Sequence, residues 1–131
     1  MNLKPSAKWI AVAAAVEVGT ALVLLIRPAL FVRLLFGAAL SGAGQALGRL
    51  AGIALIALAL ACWPRKNAAS EASAALPALL VFSLLATIYL IYLGFGGALA
   101  GPLLWPAAGL HAALTIILAL RWLNRSQATS G

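Results

Sequence analysis

Four long apolar runs leave this chain few ways to fold. They extend from about Trp9 to Ile26, Ala46 to Trp63, Pro77 to Leu93 and Leu103 to Trp122. Each is close to the roughly 20 residues that a helix needs to cross a hydrocarbon core. Within a bilayer, backbone N–H and C=O groups must be bonded internally, so only helices and closed barrels span it. The runs show no alternation of period two, which removes the barrel. The fold class that follows is all-α: a four-transmembrane-helix bundle, read as one integral membrane domain over residues 1–131. Composition agrees, since hydrophobic residues make up 65% of the chain and charged residues only 8%. A soluble domain carries about 25% charged residues to cover its surface. A soluble globule and a disordered tail are therefore excluded. Cys62 is the sole cysteine, so a disulfide scaffold is excluded as well, and the thiol reads as a buried, inert group.

The run edges carry membrane-surface residues. Trp9, Trp63, Trp105 and Trp122 stand at or near the ends of runs, with Tyr92 near another. Indole and phenol rings favour the headgroup region. Pro5, Pro64, Pro77, Pro102 and Pro106 also lie at or beside run edges, where a missing N–H costs little. The net charge of +7 does not point to nucleic acid, because the cations stand singly or in pairs around apolar runs. It reads instead as topology. Lys4, Lys8, Arg65, Lys66, Arg121 and Arg125 fall on one side, and Arg27 and Arg33 on the other. The excess predicts both termini in the cytoplasm. The first run is long for a cleaved leader and contains Glu17, so it is expected to remain as a span.

The segment Arg27–Gly37 breaks the pattern. Leu30, Phe31, Leu34 and Leu35 fall at helical spacing beside Arg27 and Arg33, Pro28 suits a first turn, and Gly37 suits a left-handed stop. Residues 28–36 are read as a short amphipathic helix on the outer surface, the alternative being a kinked extension of the first span. Ser41–Gly44 reads as a turn, residues 67–75 as a polar cytoplasmic loop, residues 94–102 as a Gly-rich outer loop and residues 124–131 as a frayed tail.

Polar side chains inside spans are costly and therefore informative. Glu17, Arg49 and His111 are ionisable; Thr20, Ser83, Thr87, Tyr89 and Thr115 are softer. At 1.5 Å of rise per residue, Glu17 lies about 12 Å beyond Trp9 and His111 about 9 Å beyond Trp105, which places both near the middle of the core. Arg49 lies about 5 Å below the outer edge, and Tyr89 belongs to the same outer half. Glu17 with Thr20, and His111 with Thr115, share helix faces. Turned inward, these faces predict an outer-half polar pocket formed by Glu17, Thr20, Arg49, Tyr89, His111 and Thr115. A satisfied polar lock that fixes helix register is the competing structural reading, and Arg49 could instead extend to the interface. Gly44, Gly48 and Gly52, spaced by four, predict close helix packing, either within the chain or against a second copy.

No catalytic constellation is present. Asp is absent, no Gly-rich phosphate loop exists, and the second carboxylate, Glu71, falls in the polar loop. No enzyme activity, metal or cofactor is expected, since one histidine with no further ligand near it cannot hold a metal or haem.

The motifs Glu17-Val-Gly-Thr, Arg27-Pro-Ala-Leu, Leu34-Leu-Phe-Gly, Gly48-Arg-Leu-Ala-Gly, Ala61-Cys-Trp-Pro and Gly101-Pro-Leu-Leu-Trp-Pro-Ala-Ala-Gly-Leu-His resemble, in order, those of small four-span bacterial proteins of the DoxX-like kind. The resemblance implies a multi-pass inner-membrane protein. Glu17 within the first span also resembles the membrane-embedded carboxylate of small multidrug-resistance transporters, which exchange protons for cations. Arg49 opposes such a cationic substrate. The expected function is a binding or accessory role for a small molecule, lipid or partner subunit, with the lipid bilayer as constant partner and a homo-oligomer left open. The alternative is a proton-coupled transporter in which Glu17 carries the proton.

Overall fold

A computed structural model describes residues 5–63, 71–97 and 99–128. Among them the chain forms five helices and no strand: α1 (Pro5–Ile26), α2 (Pro28–Phe36), α3 (Gly42–Ala61), α4 (Glu71–Gly96) and α5 (Leu104–Ala128). Four of these are long and apolar enough to cross a membrane, with spans Ala7–Ile26, Gly42–Ala61, Ala74–Gly96 and Leu104–Asn124. The second span begins and ends earlier than its apolar run suggested, because Ser41 caps it: the Ser41 hydroxyl accepts a hydrogen bond from the Gly44 N–H at 3.2 Å.

Three sequence expectations are corrected. Pro77 lies inside α4 rather than at its edge, since the helix begins at Glu71, within the segment expected to be a loop. The outer loop is shorter than residues 94–102, because α4 continues to Gly96. The C-terminal segment expected to fray is helical as far as Ala128. Pro64, Arg65 and Lys66 fall outside the described residues.

The buried face of α1 runs through Ile10, Ala13, Ala14, Glu17, Ala21 and Leu24, the spacing of one helix face. Its alanines let α3 approach closely. A Cβ placed on Gly52 would come within 2.9 Å of the Ala21 carbonyl oxygen, and one on Gly48 within 2.9 Å of the Pro28 Cβ. Gly44 does not join this contact; a Cβ there would meet Leu40 of the preceding turn. α4 pairs with α5 in the same way that α3 pairs with α1, and α1 bridges the two pairs. Two apolar clusters tie the bundle together. The lower contains Ile10 and Ala13 of α1, Leu76 and Leu79 of α4, and Leu114 and Leu118 of α5. The upper joins Leu35, Leu90 and Ala108. Cys62 is buried in the lower cluster. Only 11% of the α3 window is buried against 33% for α1, so α3 is the helix that faces lipid most fully. Most of its large outward side chains, among them Leu47, Leu50 and Ile53, are apolar.

α2 is a separate helix and not an extension of α1. Arg27 leaves helical geometry (φ −139°, ψ 65°), Pro28 occupies the first turn, and Gly37 ends the helix at φ +70° with its N–H donating to the Arg33 carbonyl. A helix leaves its last carbonyls without internal partners. Here the connection from α4 to α5 supplies them: Leu103 N–H donates to the Leu34 carbonyl at 2.9 Å and Gly101 N–H to the Leu35 carbonyl at 3.0 Å. Gly101 must be glycine for this approach, since a Cβ would collide with the Leu34 carbonyl oxygen. Gly101→Ala is therefore expected to cost roughly 1–3 kcal/mol, the range for overpacking a tight contact. Thermal unfolding in detergent measures it. A variant as stable as the parent would show that α2 does not depend on this clamp.

Candidate functional site

Between the two apolar clusters lies a polar layer. Glu17 stands four residues beyond Ala13 of the lower cluster, Ser83 four beyond Leu79, and His111 three before Leu114. Each is thus about one helical turn, roughly 5 Å, above that cluster, on three different helices. Glu17 and Ser83 are each only 1% exposed, and His111 is half-buried. All three have a buried polar atom without a hydrogen-bond partner among the described residues: Glu17 Oε1, Ser83 Oγ and His111 Nδ1. Two threonines bond locally instead. The Thr87 hydroxyl donates to the Ser83 carbonyl at 2.7 Å, and the Thr115 hydroxyl donates to the His111 carbonyl at 2.8 Å. Such bonds to the preceding turn satisfy a hydroxyl within lipid without a second helix. The His111 ring meets Phe82 edge to face, with centroids 6.0 Å apart.

Above this layer a cavity of about 400 Å³ opens between α1, α2 and α5. Val16 and Thr20 line it from α1, Leu30 and Leu34 from α2, and Ala107 and His111 from α5. Among the described residues of its wall, Thr20 and His111 are the only ones whose side chains carry hydrogen-bonding groups. Its size falls within the range of small-molecule sites, about 300–1,000 Å³. Exposed Val23, Leu30 and Leu110 form part of its rim, so it opens toward the surface that faces lipid.

Thr20 and His111 thus line the cavity, with Glu17 in the layer below, whereas Thr115 bonds the His111 carbonyl a turn further along α5 and is not in the wall. Arg49 and Tyr89 do not join them. Arg49 is exposed, because α3 turns Gly48 and Gly52 toward α1 and α2 and carries its neighbour off that face. Tyr89 is 58% exposed, because α4 buries Ser83, Thr87 and Leu90, leaving position 89 on the outer side. The expected ring of four ionisable and phenolic groups around one cavity is replaced by a smaller set on α1, α4 and α5. Sequence reasoning did not find the α2 wall. Its signal was present in the spacing of Leu30, Phe31, Leu34 and Leu35, which was assigned to the membrane surface. Among the described residues, no three of His, Cys, Asp and Glu come together as a metal site would require.

No protein-family model matches this chain, and no curated protein or solved structure matches it. The likeness to DoxX-like proteins and to small multidrug-resistance transporters therefore rests on short motifs, and the site must be read from its own geometry.

The Ser83 hydroxyl has no partner, so removing it should remove no protein contact. Ser83→Ala is expected to leave thermal stability within about 0.5 kcal/mol of the parent or to raise it, whereas Leu79→Ala one turn below should cost about 2–5 kcal/mol. A loss above about 1 kcal/mol for Ser83→Ala would mean that water or a ligand bonds this hydroxyl.

Proposed function

We propose that this small multi-pass membrane protein takes up one amphiphilic molecule from the bilayer, in the cavity between α1, α2 and α5. The observation that carries this reading is the cavity's make-up: about 400 Å³ of apolar wall, with Thr20 and His111 as the only hydrogen-bonding side chains among its described residues. An apolar pocket with a few convergent polar groups is the usual form of a binding site, in which the apolar wall gives affinity and the polar groups give orientation. In this reading a polar group of the ligand bonds the hydroxyl of Thr20 and the ring of His111, and its apolar body lies against α2. A role as a binding or accessory subunit fits such a site better than catalysis, since Thr20 and His111, the hydroxyl and the imidazole in the wall, share no hydrogen bond that would activate a nucleophile.

A second reading is favoured by one observation, the 99% burial of Glu17 with Oε1 unpartnered. A carboxyl within a span is a natural proton carrier, and proton-coupled transport would use it. Sidedness follows the cation count, which supports both termini on the cytoplasmic side.

Binding of a fluorescent acyl-chain probe to delipidated protein tests the first reading. Leu34→Trp, which fills the cavity, should abolish saturable binding. His111→Phe should weaken it about tenfold, as expected for a hydrogen bond worth roughly 1–1.5 kcal/mol. Unchanged binding in both variants would place the probe elsewhere and overturn the reading. Glu17→Gln separates the second reading: it should retain probe binding yet lose any uptake driven by a pH gradient in proteoliposomes.

A further inference from the structure

Arg27 and Arg33 are the feature that the proposed function does not use. They lie at the end of the bundle opposite Lys8 and Arg121, since α1 begins near Lys8 and ends at Ile26, and α5 runs back from Leu104 toward Arg121. That end is the one that cation counting leaves poor in positive charge. Both arginines are exposed. Neither forms an ion pair or hydrogen bond from its side chain among the described residues.

Their spacing links them to the cavity. Arg27 precedes Leu30 by three residues and Arg33 follows it by three, so the three positions are successive neighbours along one side of α2. Arg27 belongs to this row although its own dihedrals are not helical, because its carbonyl accepts the Phe31 N–H at 3.2 Å. Leu30 lines the cavity and is 44% exposed, which makes it a rim residue. Two arginines, exposed and unpaired among the described residues, therefore flank the rim residue Leu30 along α2, at the end of the bundle.

We propose that the occupant of this cavity is an anionic glycerophospholipid, with one acyl chain against α2 and its phosphate held by Arg27 and Arg33. The assignment rests on the amphiphile-binding reading and narrows it to one lipid class. Guanidinium groups suit phosphate because their planar N–H donors can bond two oxygens at once. A zwitterionic phospholipid offers the same phosphate but adds an ammonium that two arginines repel. The clamp from Gly101 and Leu103 to the end of α2 fixes the row of Arg27, Leu30 and Arg33 relative to the cavity.

The test is native mass spectrometry of the full-length protein in detergent with equimolar phosphatidylglycerol and phosphatidylcholine of identical acyl chains. One retained lipid is expected, with phosphatidylglycerol preferred by roughly 30-fold, the order that two arginines near a membrane surface supply. The double variant Arg27→Gln/Arg33→Gln should still retain a lipid but lose the preference. Lys8→Gln, at the other end, should keep it. Leu34→Trp, or Val23→Trp from the α1 wall should the first fail to fold, should retain neither lipid. Equal retention of both lipids by the parent, with loss in the Trp variants, overturns the anionic assignment and leaves the cavity reading standing. A preference that survives in the arginine variant, or that disappears equally in Lys8→Gln, also overturns the assignment. Retention that both Trp variants leave intact overturns the cavity reading itself.

Discussion

A helix that ends inside or beside a bilayer leaves carbonyl groups that lipid cannot bond, and the organisation of this protein turns on how α2 meets that constraint. Its last turn is too short to satisfy itself. The connection before α5 approaches closely enough for Gly101 and Leu103 to donate to the Leu35 and Leu34 carbonyls. That contact holds α2 across the end of the bundle, with Leu35 packed on Leu90 and Ala108. The cavity exists because α2 is held there: its apolar side roofs a space that α1 and α5 leave open, and the two helix pairs meet mainly through α1. Glycine enters this arrangement where backbones touch, at Gly52 against Ala21 and at Gly101 against α2. In lipid, such close packing replaces the hydrophobic drive that holds soluble bundles together.

The fold was legible in the sequence because its determinants are coarse. Run length and the need to bond every backbone group decide that four helices cross the membrane, and neither depends on which side chain touches which. The short helix was legible at its exact bounds, since Pro28 and Gly37 are local signals with local causes. Helix ends were less so. Apolar runs mark what prefers lipid, whereas Ser41 and the continuation of α4 to Gly96 answer to hydrogen bonding and to packing.

The site was only half legible, for a different reason. Depth along a helix follows from counting residues, which put Glu17 and His111 near the middle of the core; that Ser83 joins them one turn above the lower cluster was not foreseen. Rotation about the helix axis does not follow from counting when almost every position is apolar. Polarity suggested that Arg49 and Tyr89 face inward. The small side chains of α3 and the buried row on α4 turn them out instead, since close backbone approach at Gly48 and Gly52 outweighs the direction preferred by one long, adaptable arginine. The wall formed by α2 was hidden because a face of Leu and Phe serves equally well against lipid and against protein.

His111 gives the polar layer and the cavity a shared member. Its ring lies in the cavity wall and its Nδ1 is one of the three unpartnered atoms. An unbonded polar atom in a dry interior costs on the order of 1–3 kcal/mol, so polar groups at this depth favour any partner within reach. A structural lock would satisfy these groups with one another, whereas Oε1 of Glu17, Oγ of Ser83 and Nδ1 of His111 have no hydrogen-bond partner among the described residues. Of the three residues only His111 lines the cavity, so its ring is the part of the layer that a guest meets. In the proposed complex the two arginines on α2 and this inner layer act at different depths on one amphiphile. The outer pair selects its charge, and the inner groups bond whatever polar atom is carried deepest.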